Sequence, residues 1–343
     1  MTEQTLRRIV VNSFDDIAVE HVPEPQAGPG EVLVRSTIVG ICGSDMHAAH
    51  GRHPFMSLPF WPGHEVVGVV VGVGSDVNPD LEGKRVVVEP NLACGTCVQC
   101  KEGRYNICST LEVFGCQTPG GMTDKFVIAA DRVVPLPDDL EDKWAALIEP
   151  MSTPVHAVRR AGNLQGKKVV VLGAGPIGLF TAIAALHAGA SRVVVADILK
   201  SKMDRAIRLG AHGSFNSSSP TAAEDALEAL QGKAHVVFDC VSRESTVHLA
   251  IEVLDKGGSL MTIGVPNGPT VVNLDLVQDR ELTIKGNLMF VREDVLAAIE
   301  LLREKPFRYE DVVTATFDIE QAADAFRASD DPEQVKVLIT VGS

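Results

Sequence analysis

Residues 40–47 read G-I-C-G-S-D-M-H, and a Pro-rich loop then leads to P-G-H-E at the mouth of a Val-rich strand. Thiolate and imidazole suit zinc, and the glycines beside Cys42 and His64 let the backbone turn tightly around an ion. Cys42, His64 and Glu65 are therefore candidate ligands of a catalytic metal brought together by two loops. Ser44, a good N-cap type, predicts the start of a short helix. Ser44 and His47 would then share one side of a turn, where a hydroxyl and an imidazole can pass a proton outward. Asp45 is the natural carboxylate to accept the second ring N–H of a metal-bound histidine and so fix its tautomer. The plain alternative is a buried thiol, a satisfied histidine and a solvated carboxylate. Glu65 is also awkward, because neighbours in an ideal strand face opposite sides. It can share a metal with His64 only where the strand begins irregularly.

A second group lies in C-G-T-C-V-Q-C-K-E-G-R-Y-N-I-C. Cys94, Cys97 and Cys100 are each separated by two residues, and Cys108 follows after seven more. Four thiolates close a tetrahedral zinc site with no open position, which reads as structural. The alternatives are free thiols or an iron–sulfur cluster. The bacterial form of such a cluster places its fourth Cys three residues on and follows it with Pro, unlike this chain. Cys116 and Cys240 read as ordinary buried cysteines.

The third group is V-V-V-L-G-A-G-P-I-G-L, with Gly173, Gly175 and Gly178 between an apolar strand and a helical run. Gly173 allows the tight turn, Gly175 the close approach of a pyrophosphate, and Gly178 the packing of helix on strand. Three such glycines alone are a weak signal. Here Asp197 also ends the next strand about twenty residues on, where an acid binds a ribose 2′-OH.

The elements that must position these groups fall into two patterns. Up to about residue 150, short strands are broken by Gly and Pro: L-R-R-I-V-V, E-V-L-V-R-S-T-I-V, E-V-V-G-V-V-V-G-V-G, K-R-V-V-V-E and M-T-D-K-F-V-I. From about 154 to 288, apolar strands alternate with helical segments, as in a parallel sheet built from βαβ units. The helices D-V-L-A-A-I-E-L-L and Q-A-A-D-A-F and the strand V-K-V-L-I-T then return to the first domain. At 343 residues, 45% hydrophobic and 22% charged, the chain suits two globular domains. A net charge of −14 disfavours nucleic acid or an anionic membrane as partner and favours a small molecule. The N-terminus lacks the apolar core of a signal peptide, and no apolar run is long enough for a membrane span, so a cytoplasmic protein is expected. Its seven cysteines would then be reduced.

Together these residues resemble the zinc-dependent medium-chain alcohol dehydrogenases and, within them, the sorbitol and polyol dehydrogenase branch. The likeness spans nearly the whole chain. It rests on the motifs at 40–47 and 63–65, the four cysteines, G-R-Y-N at 103–106, I-E-P at 148–150 and the G-A-G-P-I-G fingerprint. It implies an α/β fold: a chaperonin-10-like β-barrel catalytic domain from 1–153 and 289–343, a Rossmann doubly wound parallel sheet from 154–288, and an active site in the cleft between. It also implies two zinc ions per chain, NAD, and a homotetramer.

By resemblance, Cys42, His64 and Glu65 ligate the catalytic zinc, with Glu149 near the fourth position, directly or through water. Glu149 stands where the classical alcohol dehydrogenases place another Cys; read alone, it is a carboxylate at a helix start. The cofactor pattern also falls on Ile177, Lys202, Gly264, Val265, Leu288 and Met289. Zinc would act as a Lewis acid toward the alcohol, whose carbon passes hydride to the nicotinamide. Ser44 would take the alcohol proton and His47 pass it to solvent.

The pocket departs from the branch. Sorbitol dehydrogenases carry a Tyr after the relay His and an Arg-Tyr pair in the last strand region, where this chain has Ala48 and Met289-Phe290. Phe55, Met56, Trp61 and Phe114 are expected to form an apolar wall, or simply core. Three readings stay open: an NAD-linked polyol, sugar-acid or diol dehydrogenase; a threonine-type amino-alcohol dehydrogenase; and a non-catalytic nucleotide-binding relative.

Overall fold

The structure, a computed structural model, describes residues 5–266 and 268–342. The chain opens with a hairpin, β1 (Thr5–Ser13) against β2 (Asp16–Pro23). The long strand β3 (Glu31–Ile41) alternates buried Val32, Val34 and Ser36 with more open positions in its first half and buries Val39 to Ile41 together, and α1 (Gly43–Ala49) follows it directly. β4 (Glu65–Val73) returns antiparallel on β3, and β5 (Arg85–Val88) pairs with β4. Two short strands, β6 (Asn91–Leu92) and β7 (Glu112–Val113), bracket a lobe that contains α2 (Val98–Lys101). β8 (Lys125–Ala129) pairs with β3 and β9 (Val133–Pro135) with β5, and α3 (Asp142–Ala145) and α4 (Ile148–Ala161) follow.

A parallel sheet comes next, with β10 (Lys168–Leu172), β11 (Arg192–Asp197), β12 (Gly213–Asn216), β13 (Ala234–Asp239), β14 (Leu254–Thr262) and β15 (Thr283–Gly286). Among the described residues their order is β12-β11-β10-β13-β14-β15. Helices α5 (Pro176–His187), α6 (Lys200–Arg208), α7 (Ala222–Leu230), α8 (Glu244–Val253) and α9 (Leu274–Asp279) connect them. After Lys168, β10 is apolar because it is covered on both faces, with Val169 through Leu172 fully buried. The chain then runs through α10 (Arg292–Arg303), β16 (Val313–Asp318), α11 (Ala322–Ser329) and β17 (Lys336–Thr340). β17 adds to the first sheet, antiparallel to β3 and parallel to β16.

The chain packs as two compact units. The first is Met1–Glu149 with Val291–Lys305 and Val312–Ser343; the second is Pro150–Phe290 with Pro306–Asp311. The first core includes Ile9, Val34, Val66, Phe126, Phe326 and Ile339, and the second Leu172, Val194, Phe215, Leu230, Val237 and Leu260. The excursion at Pro306–Asp311 is held within the second unit by side chains: Asp311 accepts from Arg208 Nε at 3.1 Å, and Phe307 lies 6.4 Å from Phe180, ring to ring. The expected strands are present, and β2, β12 and β16 join them; β2 and β16 do alternate, with Ile17 and Val19 and with Ala315 and Phe317 turned toward the first core, but neither strand buries a side chain fully. β12, G-S-F-N, buries only Phe215. No helix among the described residues is long and apolar enough to cross a membrane.

Candidate active site

The metal centre grows out of the end of β3. Cys42 is the N-cap of α1, so the helix begins one residue before Ser44 rather than at it. The backbone N–H of Cys42 donates to Asp45 Oδ2 at 2.9 Å, which fixes the fully buried Asp45 in the first turn. Its other oxygen, Oδ1, has no hydrogen bond to any described residue and faces His64 Nδ1 at 3.7 Å. The opposite ring nitrogen, His64 Nε2, lies 3.5 Å from Ser44 Oγ. Ser44 is half-buried and His47, one turn on, is exposed.

His64 precedes β4 and Glu65 is its first residue, so the two need not alternate as they would inside a strand. Gly63 makes the approach possible: its φ is +114°, and a Cβ there would lie 2.3 Å from the backbone N of Met122. Glu65 pairs with Gly40 across β3–β4 and folds over it, since a Cβ on Gly40 would come within 2.0 Å of Glu65 Oε2. Beyond Gly40 the carboxylate meets Lys336 from β17, whose Nζ donates to both Glu65 oxygens at 2.7 Å and to Ile41 O at 3.1 Å.

The donor set fits zinc. One ligand atom each from Cys42, His64 and Glu65 lies within 4.8 Å of the others, and a buried carboxylate oxygen stands ready for the second His64 nitrogen. Burial disfavours a charged His64, but the carboxylate of Asp45 and then the Cys116 thiol draw its pKa well up on balance. Burial pushes Asp45 itself up. Glu149, near the start of α4, is 8% exposed and lies outside that group of three. Burial first, and then the charge of Glu65 against that of His64, pushes its carboxyl up to about 8. Lys336, which burial alone would lower, is held above its ordinary value chiefly by Glu65.

The four-cysteine lobe also fits zinc. Cys97 Sγ lies 3.4 Å from Cys100 Sγ and 3.9 Å from Cys108 Sγ, and Cys94 Sγ lies 4.0 Å from Cys100 Sγ. A zinc–sulfur bond of about 2.3 Å gives tetrahedral sulfur–sulfur edges of about 3.8 Å. The N–H groups of Cys97 and Thr110 point at Cys94 and Cys108 sulfurs at 3.4 Å, as suits thiolates. The G-R-Y-N motif ties the lobe to α10, because Tyr105 Oη donates to the fully buried Glu89 at 2.6 Å and Arg292 Nε donates to the same carboxylate at 2.6 Å.

In the second unit, Gly173 turns out of β10 with φ +95°, and a Cβ on Gly178 would lie 1.8 Å from Gly173 O. A Cβ on Gly175, the N-cap of α5, would meet nothing within 4 Å, so the backbone there is open to a ligand. Ile177 sits in the first turn of α5 and Lys202 on α6. Asp197 Oδ2 accepts from Ala174 N at 2.7 Å, and Oδ1 from Ile198 N and Leu199 N at 2.8 and 3.0 Å. One carboxylate thus braces the glycine loop and the chain that leaves β11. Gly264 lies against the backbone of Cys240 and Val241, while Val265 and Leu288 are 66% and 50% exposed. Met289 adopts φ +47°, unusual for a residue with a side chain.

Other expected residues are placed elsewhere. Met56 and Phe114 belong to the first core, Phe55 is 74% exposed, and Trp61 donates its indole N–H to Glu20 under the Arg8 guanidinium. Ala48 and Phe290 are buried at 1% exposure. Cys116 is no ordinary core cysteine: its Sγ is 3.8 Å from His64 Nδ1. That contact and Lys336 had no role in the sequence reading, although a lysine inside V-K-V-L-I-T is a visible anomaly.

Residues 28–138 match the family model described as alcohol dehydrogenase GroES-like domain, and residues 176–304 the one described as zinc-binding dehydrogenase. Sorbitol dehydrogenase of Bos taurus is 37% identical over 340 residues, covering 96% of this chain and 95% of the bovine one. An Escherichia coli CFT073 alcohol dehydrogenase solved with NADH superposes with a TM-score of 0.92 at 27% identity, covering 98% of this chain and 99% of that one. The 2R,3R-butanediol dehydrogenase of Bacillus subtilis gives 0.90 at 27% identity, covering 98% and 100%. The chain belongs to the zinc-dependent medium-chain alcohol dehydrogenases, in the branch that holds the sorbitol dehydrogenases. Its first sheet is the GroES-like part and its parallel sheet the Rossmann part, so it is an oxidoreductase that uses zinc and a nicotinamide cofactor.

Proposed function

We propose that this enzyme oxidises a secondary hydroxyl of a polyol, sugar acid or diol to a ketone and reduces NAD. The observation that carries the reading is the convergence of Cys42, His64 and Glu65 ligand atoms within 4.8 Å, with Ser44 Oγ 3.5 Å from His64 Nε2. When bound, zinc supplies the Lewis acidity that eases loss of the alcohol proton, and NAD supplies the hydride acceptor.

The chain's own residues do the rest. Cys42, His64 and Glu65 hold the metal, with Glu149 beside the remaining position. Asp45 keeps the His64 ring oriented through Nδ1. Ser44 Oγ takes the proton and His47, exposed on the same helix, delivers it to solvent. Cys94, Cys97, Cys100 and Cys108 hold a second zinc that keeps their lobe folded. Gly173, Gly175, Ile177, Gly178, Asp197, Lys202, Gly264, Val265, Leu288 and Met289 bind the nucleotide. The catalytic domain is assigned 1–153 and 289–343 and the nucleotide domain 154–288, although by packing Pro150–Phe290 and Pro306–Asp311 form the second compact unit.

The protein is a cytoplasmic homotetramer with neither nucleic acid nor membrane as partner. The net charge of −14 supports the latter. Among the described residues β15 is an edge strand with no further strand paired to it, and Ile284 on it is 41% exposed, which supports self-association. A panel of polyols, sugar acids and diols, read by NADH absorbance with zinc present, tests the activity; silence across the panel would refute it.

A further inference from the structure

We propose that Lys336 is a positioning residue of the metal centre, an internal cation that shares the Glu65 carboxylate with the metal. It keeps Glu65 a weak, exchangeable ligand, so a coordination position stays available to substrate. The inference rests on the reading of Cys42, His64 and Glu65 as zinc ligands.

Strand order carries it. β17 and β4 lie on opposite sides of β3, with Val337 opposite Ile41 and Glu65 opposite Gly40. Lys336 and Glu65, 271 positions apart in the chain, therefore reach toward each other across β3. They meet only because Gly40 has no side chain to block the path, since a Cβ there would lie 2.0 Å from Glu65 Oε2. All three ammonium donors are accounted for, two to Glu65 at 2.7 Å and one to Ile41 O at 3.1 Å.

The two side chains are 2% and 1% exposed, so water does not screen the pair. A charged lysine so deep in an apolar strand is tolerated only with its partner, which fixes the pairing. A carboxylate that accepts a charge-assisted hydrogen bond on each oxygen has less charge to give a metal, and partners of this kind tune the ligands they touch. A pair that only stapled β17 to β4 would stabilise the fold without altering how the metal is held.

The test compares zinc-loaded wild type with Lys336→Met, close in shape but uncharged, and Lys336→Arg, which keeps the charge. Zinc release to a chromophoric chelator is followed, along with the visible spectrum after cobalt substitution. The metal-centre release phase is identified by its absence in Cys42→Ser. With its competitor gone, Glu65 becomes a full ligand: Lys336→Met should release this zinc about tenfold more slowly, shift the cobalt bands and lose turnover. Lys336→Arg should stay within about threefold of wild type.

Release from a folded Lys336→Met at the wild-type rate or faster, or an unchanged cobalt spectrum, overturns the proposal. Should that variant not fold, a crystal structure of the zinc-loaded wild type decides. Lys336 Nζ must remain within hydrogen-bond reach of a Glu65 oxygen, and a Glu65 that has left it altogether overturns the idea. A wild-type chain that takes up zinc only in the four-cysteine lobe would instead refute the metal-centre reading itself, and the proposal with it.

Discussion

Replacing Asp197 should change cofactor choice and loosen the glycine loop at once, because its two oxygens do both jobs. Oδ2 accepts one backbone N–H, from Ala174, and Oδ1 accepts two, from Ile198 and Leu199. Each carboxylate oxygen offers about two acceptor directions, so Oδ2 keeps one for a ribose hydroxyl. A hydrogen bond from that hydroxyl to a charged carboxylate contributes about 1.5 to 3 kcal/mol. Asp197→Ala should therefore lower kcat/KM for NAD by about 10- to 150-fold. Efficiency with NADP should rise, because the charge that repels a 2′-phosphate is gone, and Lys202 on the following helix would add to the gain.

Asp197→Asn separates the two jobs. Its remaining oxygen can still serve Ile198 and Leu199, but its NH2 faces the Ala174 N–H, so the glycine loop loses its brace. Steady-state kinetics with both cofactors, together with melting temperatures, measure the effects. A ratio of NAD to NADP efficiency that stays within about threefold of wild type in a folded Asp197→Ala would refute the ribose role.

Metal analysis should find two zinc ions per chain. Cys42→Ser or His64→Ala should lose one ion and all activity while remaining folded, whereas Cys97→Ser should lose the other and mainly lower the melting temperature. Sorbitol should be a poorer substrate than shorter diols or sugar acids. Neither Ala48 nor Met289 supplies a hydroxyl clamp, and two unmade hydrogen bonds at about 1 to 3 kcal/mol each amount to a factor of about 30 or more. Matched rates in which sorbitol leads would overturn that. Acid stability should depend on Asp124. Burial raises its pKa, but hydrogen bonds from the Arg7 side chain and backbone at 2.7 Å bring it net below the usual carboxylate range. Its folded pKa being the lower, its contribution is present above the unfolded value of about 3.9 and is lost as pH falls through the folded one. Denaturation midpoints of Asp124→Asn should accordingly fall less steeply below about pH 4 than those of wild type.

Chemistry that depends on residue type at short spacing was legible before any coordinates. Zinc accepts few donor types, so Cys42, His64 and four cysteines within fifteen residues stood out. A strand, three glycines and an acid about twenty residues on have few other readings. Apolar runs and alternation mark the strands with a buried face, while β12, G-S-F-N, buries only Phe215 and leaves no such trace.

Contacts set by strand order were not legible. Glu65 finds Lys336 across 271 positions because β17 joins the sheet beside β3, and Cys116 finds His64 across 52. A thiol or an ammonium has the same local signature whether it faces solvent, core or a metal ligand, and only packing distinguishes these. Packing likewise left Met56 and Phe114 in the core and Phe55 exposed, because an aromatic or aliphatic side chain meets the same hydrophobic demand in a pocket wall and in a core. Whether Glu65 is a free carboxylate or a shared one therefore depends on a lysine at the far end of the chain and on the missing side chain of Gly40.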